Sequence, residues 1–200
     1  MEQLTVSFVH ISDIQNNPDY YLSFLTPEEL ARADRFVHPS DRFLAVGSAF
    51  LIRFYCGKNA VIRYTDHKKP MVSGCFFNVS HSVDLAAIVL SQRYEVGIDI
   101  EKRRDGFEEL REQCCSITEF NSGVAFLDLF TAKESLAKAE GSGLSLPLPE
   151  IPGLPLDGFI RYKDRNFYRQ SYNGSNGYSV SIVQENEPFL IKDLPETTIR

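Results

Sequence analysis

The sequence predicts an α+β fold built as two halves of similar plan, each with helices packed on a small antiparallel sheet. Two observations lead to it. Helical patterns over 26–56 give way to strand patterns within 61–101, and helical patterns over 107–140 give way to strand patterns within 158–184. A Pro-rich segment, 147–155, joins the second helical set to its strands. Two hundred residues, 43% hydrophobic and 24% charged, are enough for a real core. We divide the chain into 1–92 and 93–200 on this plan.

The elements follow in order. Residues 4–11 are β-branched and largely apolar and read as a strand. Thr26-Pro-Glu-Glu starts a helix, with Thr26 as N-cap, Pro27 in the first turn and Glu29 at the capping-box position. That helix carries Arg32 and Arg35 to about Val37, where His38-Pro-Ser ends it. Ser40 or Asp41 caps a second helix to about Cys56, with Phe43, Val46, Phe50 and Phe54 as its stripe. A short strand is expected at 61–65, then strands at Phe76–Ser80, Leu85–Leu90 and Tyr94–Glu101, with a turn at Ser80–Asp84. Helices are expected at 107–115 and 123–140, and strands at 158–163, 166–172 and 178–184. Asn173-Gly-Ser-Asn-Gly reads as a hairpin turn.

The helix ending at Gly141 and Gly143 organises the rest. Ala125, Leu129, Ala132, Leu136 and Ala139 recur at steps of four and three and form one apolar stripe. Glu134 lies about 200° around the axis from Ala132 and Leu136, at ~100° per residue. Lys138 stands beside it, and Leu127 and Phe130 share that second face. Such a helix is expected between two packed units; the plainer reading is an exposed Glu–Lys pair.

Three constellations could carry chemistry. In Tyr94-Glu-Val-Gly-Ile-Asp-Ile-Glu101, strand alternation puts Asp99 and Glu101 on one face with Cα atoms ~7 Å apart. Close carboxylates repel unless a cation or solvent relieves them, and Gly97 beside them leaves room for a ligand. The plainer reading is a solvated outer face. If Glu134 comes into range, three carboxylates suit a hard cation such as magnesium. Second, Phe76–Ser80 delivers Ser80, His81 and Ser82 to a turn whose hydroxyls, amides and imidazole can hold a phosphate; a polar turn with a satisfied histidine is the alternative. Third, Arg32, Arg35, Arg42, Lys68, Lys69, Lys133 and Lys138 stand out in a chain of net charge −6 and make an anion site if they converge. There is no Walker loop and no Gly-x-Gly-x-x-Gly.

Composition narrows the class. The acidic balance argues against nucleic-acid binding. No apolar run reaches membrane-spanning length and no signal peptide is visible. Cys56, Cys75, Cys114 and Cys115 lack zinc-ligand spacing, and reduced thiols in the cytoplasm are expected.

Taken together, Lys69-Pro70, Phe77-Asn-Val-Ser-His-Ser82, Val96-Gly-Ile-Asp-Ile-Glu-Lys102 and Phe130-Thr-Ala-Lys-Glu-Ser-Leu-Ala-Lys138, continuing into Gly141-Ser-Gly-Leu-Ser-Leu-Pro-Leu148, resemble the 4'-phosphopantetheinyl transferases. The likeness is to the larger type that activates surfactin synthetase. It implies two pseudo-symmetric halves with the active site in the cleft between them. It implies transfer of the phosphopantetheine arm of coenzyme A to a serine of an apo acyl or peptidyl carrier protein, with Mg²⁺, releasing adenosine 3',5'-bisphosphate. The alternative is a non-catalytic coenzyme A or carrier-binding module of the same fold.

The resemblance places Asp99, Glu101 and Glu134 at the metal, Asp99 thereby also beside coenzyme A. Lys69, Ser80 and His81 fall at the 3'-phosphate side, Lys133 and Lys138 in the pyrophosphate region, and Arg32 and Arg42 at phosphate contacts. Glu134 is expected to take the serine proton, directly or through a water on the metal, and Lys138 to steady the leaving oxygen. Residues 102–129 look shorter than in typical members, after Thr118-Glu-Phe, where the family docks its carrier. Lys68 replaces a usual glycine. A cytoplasmic monomer without nucleic-acid or membrane partners is expected.

Overall fold

The computed structural model describes residues 1–143, 147–174 and 176–192. The chain forms β1 (Glu2–His10), α1 (Ile11–Asn16), α2 (Pro18–Leu22), α3 (Pro27–Ala33), α4 (Pro39–Cys56), β2 (Arg63–Tyr64), β3 (Pro70–Met71), β4 (Phe76–Ser82), β5 (Leu85–Ser91) and β6 (Val96–Lys102). It continues with α5 (Arg111–Cys114), α6 (Ile117–Phe120), α7 (Phe126–Glu140), β7 (Gly158–Tyr162), β8 (Arg165–Asn173), β9 (Tyr178–Glu185) and β10 (Phe189–Lys192). The fold is mixed α+β. One four-stranded sheet has the order β10-β1-β5-β4, another β6-β9-β8-β7, and β2-β3 make a small ribbon.

Period-two burial along the strands sets the layers. Leu85, Ala87 and Val89 face one way and join Val96, Ile98, Ile100, Val180 and Ile182 in a core shared by the two large sheets. Ala86 and Ile88 face the other way, onto Val46, Ala49 and Phe50 of α4. On the outer side of the second sheet, Leu136 and Ala139 of α7 pack with Ile160, Phe167 and Val183. The sheets thus share one apolar layer, and a helix covers each outer face.

Most predicted elements are present, with instructive shifts. The Thr26 capping box forms, but its helix stops at Ala33. Helix α4 begins two to three residues earlier than expected, at Pro39, with His38 in place of Ser40 or Asp41 as its N-cap. The predicted turn at Ser80–Asp84 contracts to Val83 and Asp84, because Ser80, His81 and Ser82 stay in register with Ala87, Ala86 and Leu85. Ser80 and His81 therefore belong to a strand. The first helical pattern after β6 breaks into a 3-10 turn and the short α5. Helices α1 and α2 lack a long stripe and were not anticipated. Gly141 adopts the left-handed conformation that ends α7; the continuation at 144–146 lies outside the described residues.

Strand β10 was also not expected. It pairs parallel to β1, Glu2 opposite Phe189, and completes the four-stranded sheet β10-β1-β5-β4. All four cysteines are free thiols. Among the described residues no helix is long and apolar enough to cross a membrane.

Candidate active site

The site begins at an edge. β4 and β6 are the edge strands of their sheets, and no backbone ladder joins them. Instead, side chains at alternate positions of β4 reach alternate amides of β6. Asn78 Oδ1 accepts from Ile98 N at 3.1 Å, Ser80 Oγ from Ile100 N at 3.3 Å and Ser82 Oγ from Lys102 N at 3.2 Å. The two serine hydroxyls donate in turn to carboxylates of β6: Ser80 to Asp99 Oδ1 at 2.9 Å, Ser82 to Glu101 Oε2 at 2.6 Å.

Helix α7 lies over this strand because Gly97 has no side chain. A Cβ there would stand 2.0 Å from the Ser135 carbonyl oxygen and 2.6 Å from Ala139 N. The room that Gly97 leaves is taken by α7 and not by a ligand, which corrects the sequence reading. The close approach brings Glu134 and Lys138 to the same wall. Lys138 Nζ donates to Asp99 Oδ1 at 2.6 Å, to Ser80 Oγ at 3.0 Å and to the Ile98 carbonyl at 3.2 Å.

These groups line a pocket of about 690 Å³, a volume usual for a small-molecule site. Its carboxylate wall is Asp99, Glu101 and Glu134, with Lys138 between them. Ser80 and His81 adjoin it, and Arg32, His67, Lys68 and Lys69 close the far side. The solvated-face reading of Asp99 fails, since only 5% of the residue is exposed. Burial, followed by the Asp99 and Glu101 charges, pushes the Glu134 carboxyl up to about 7 against the pull of Lys138. Burial also raises Glu101, partly offset by the Ser82 hydroxyl. Lost hydration and then the Lys138 ammonium hold the His81 imidazole below its ordinary value, although the ring keeps an exposed edge. One pocket therefore holds a carboxyl poised near neutrality, an ammonium and several cations for an anionic ligand.

The profile of the 4'-phosphopantetheinyl transferase superfamily matches residues 95–183, from just before β6 into β9. The chain is 28% identical to 4'-phosphopantetheinyl transferase Sfp of Bacillus subtilis over 199 residues, 88% of each chain. Over residues 95–183 the chain is similar to that superfamily. It is also 31% identical to 4'-phosphopantetheinyl transferase gsp of Aneurinibacillus migulanus over 131 residues, 57% of this chain and 55% of the relative. A cyanobacterial relative, 4'-phosphopantetheinyl transferase HetI of Nostoc, is 28% identical over 60% of this chain and 61% of its own.

Of the residues expected at a phosphopantetheinyl transferase site, the pocket gathers Arg32, Lys69, Ser80, His81, Asp99, Glu101, Glu134 and Lys138. Arg42 and Lys133 are elsewhere. Arg42 pairs with Asp34 at 2.7 Å on the surface. Lys133 is wholly buried, paired with Glu119 at 2.7 Å, and donates to the carbonyls of Leu148 and Ile151. Its ammonium is spent inside the protein and does not face the pocket. Lys69 lines the pocket with its ammonium paired to Glu95. Sequence reasoning missed Tyr64, whose hydroxyl accepts from Arg32 at 2.8 Å, and Ser48, a pocket residue whose buried hydroxyl has no partner. It also missed the use of Asn78, Ser80 and Ser82 as a seam. The clue was there: three polar residues alternate on a strand whose partner is Leu-Ala-Ala-Ile-Val.

Among the described residues no group of three His, Cys, Asp or Glu side chains is arranged to hold a metal ion as it stands. The donor set still suits a hard divalent cation. Asp99 Oδ2 is buried without a partner. Glu134 is driven up first by burial and then by the Asp99 and Glu101 charges, and a cation relieves that repulsion. Lys138 supplies positive charge on the other oxygen of Asp99.

Proposed function

We propose that this protein transfers the 4'-phosphopantetheine arm of coenzyme A to a serine of an apo acyl or peptidyl carrier protein and releases adenosine 3',5'-bisphosphate. Similarity to the superfamily over residues 95–183 and to Sfp over most of the chain supports the reaction. One observation supports the site: a carboxyl near neutrality, Glu134, shares a pocket with Asp99, Glu101 and Lys138. The site lies between two pseudo-symmetric halves, 1–92 holding mainly the coenzyme A phosphates and 93–200 the carboxylates and α7.

Asp99, Glu101 and Glu134 would hold Mg²⁺, which supplies positive charge to the pyrophosphate. The chain's own residues do the rest. Arg32, Lys69 and His81 face the anionic nucleotide and orient it. Glu134 accepts the proton from the serine hydroxyl as the new bond from that oxygen to the phosphopantetheine phosphorus forms. The bridging P–O bond breaks, and Lys138 steadies the oxygen that leaves with the bisphosphate. The exposed apolar side chains of Leu110, Ile117 and Phe120 favour the α5–α6 region for the carrier. Because one chain supplies every pocket residue, we assign a monomer, working in the cytoplasm.

The test is the intact mass of an apo carrier protein after incubation with this protein, coenzyme A and Mg²⁺. A phosphopantetheine-sized gain is expected, and EDTA abolishes it. Glu134→Gln should keep coenzyme A binding and lose about 10²–10⁴-fold in turnover. Unchanged mass across several carrier types, with coenzyme A still bound, would leave only the binding-module reading.

A further inference from the structure

We infer that Ser82 is a positioning residue for Glu101, set at the end of a side-chain seam in which Asn78, Ser80 and Ser82 meet the amides of β6. The inference rests on the metal and transferase reading given above. An edge strand presents unpaired amides that ordinarily bond another strand or water. Here the outward amides of Ile98, Ile100 and Lys102 meet Asn78, Ser80 and Ser82, one rung each. All three β4 residues are less than 9% exposed.

The rungs are not equivalent. Asn78 closes its rung and touches no carboxylate. Ser80 and Ser82 each have one proton to give, and they give it to Asp99 and Glu101. A hydroxyl that accepts a backbone amide has its remaining direction fixed. Its proton then selects one carboxylate oxygen and holds that rotamer. Ser82 sets Glu101 Oε2 this way, and Glu101 itself lines the pocket. Ser80 does the same for Asp99 Oδ1 and accepts from Lys138 as well, which leaves Asp99 Oδ2 unpartnered. The hydrogen bonding of Ser80 is therefore committed to the carboxylate wall, whereas His81, next in the strand, keeps an exposed face for an anion. Ser82 does not line the pocket, so any effect on ligand binding must pass through Glu101.

The experiment measures Mn²⁺ binding, by the electron paramagnetic resonance of free ion, with and without coenzyme A. Coenzyme A binding in EDTA is measured alongside by calorimetry. Ser82→Ala should weaken Mn²⁺ about 10–100-fold, the usual effect of removing the partner of a metal ligand. Its affinity for coenzyme A in EDTA should match the wild type. Ser82→Thr keeps the hydroxyl and should recover Mn²⁺ affinity. Asn78→Ala opens the seam without touching a carboxylate, so it should lower the melting temperature yet keep Mn²⁺ affinity. Wild-type Mn²⁺ affinity in Ser82→Ala would overturn the inference. So would an equal loss in Asn78→Ala, since seam opening alone would then account for the effect. A wild-type protein that binds coenzyme A but no Mn²⁺ would remove the metal reading and this inference with it. One that binds neither would overturn the proposed function itself.

Discussion

Helix α7 carries two lysines five residues apart, each paired with a carboxylate and each donating to two further oxygens, and the pairs differ in the burial of the lysine and the partners of the carboxylate. Lys133 meets Glu119 at 2.7 Å and Lys138 meets Asp99 at 2.6 Å. In the first pair every polar atom has a partner. Lys133 gives its protons to Glu119 and to two carbonyls. Glu119 accepts the amides of Ser116 at 2.8 Å and Gly153 at 2.6 Å. In the second pair Lys138 is 25% exposed on its side chain and Asp99 keeps a buried oxygen with no partner. A saturated buried pair ties α6, α7 and the 148–153 segment together and can bind nothing else. An unsaturated one, open to a pocket, is ready for a ligand.

That contrast can be broken from either side. The largest effect should come from Lys133→Ala, which strands the Glu119 charge in the interior and should cost about 3–5 kcal/mol of stability, read by urea unfolding. A loss below 1 kcal/mol would show that Glu119 is not locked as described. Next comes Lys138→Ala. We expect about 10²–10³-fold less carrier modification, measured by mass, with unfolding barely changed. The reverse outcome, loss of stability with full activity, would exchange the roles of the two lysines.

Acid should separate the pairs by a smaller margin. Burial pushes the Glu119 carboxyl up, but Lys133 and the two amides outweigh it and hold it below its ordinary value of 4.5. The folded pKa lies below the unfolded one, so this stabilisation is complete above about 4.5 and is lost as pH falls through the folded value. Unfolding curves across that window should show a slope that a Glu119→Gln, Lys133→Met double variant lacks. The smallest effect belongs to Arg42→Ala. Its pair with Asp34 is solvent-exposed on both sides; stability should change by about 0–1 kcal/mol in thermal unfolding. Coenzyme A affinity should hold, because the guanidinium is not part of the pocket wall.

The same contrast explains what could be read in the sequence. Asp99 and Glu101 share a face by strand alternation alone, and the second face of α7 followed from angular spacing. Local rules suffice for both. The capping box at Thr26 formed for the same reason. Lys133 could not be assigned from its helix. Its angular position said only that it sits next to Glu134, while its partners come from 14 to 18 residues away on either side. Gly97 read as open space because period and composition do not say which neighbour fills a gap. Strand β10 escaped because Phe189-Leu-Ile-Lys is short and acquires its strand character by pairing with β1.

That last strand gives the chain an awkward birth order. β1 leaves the ribosome long before its parallel neighbour β10, so one edge of their sheet stays bare while the intervening residues are made. Such a distant contact slows folding, because a long loop must close before the pairing is gained. Until then β1 exposes an apolar strand edge of the kind that recruits other chains. A nascent chain stalled near residue 92 should therefore be a chaperone client, and a chain cut after Asn186 should run as aggregates in size-exclusion chromatography. The sheet that β1 opens is finished only by residues that follow β9.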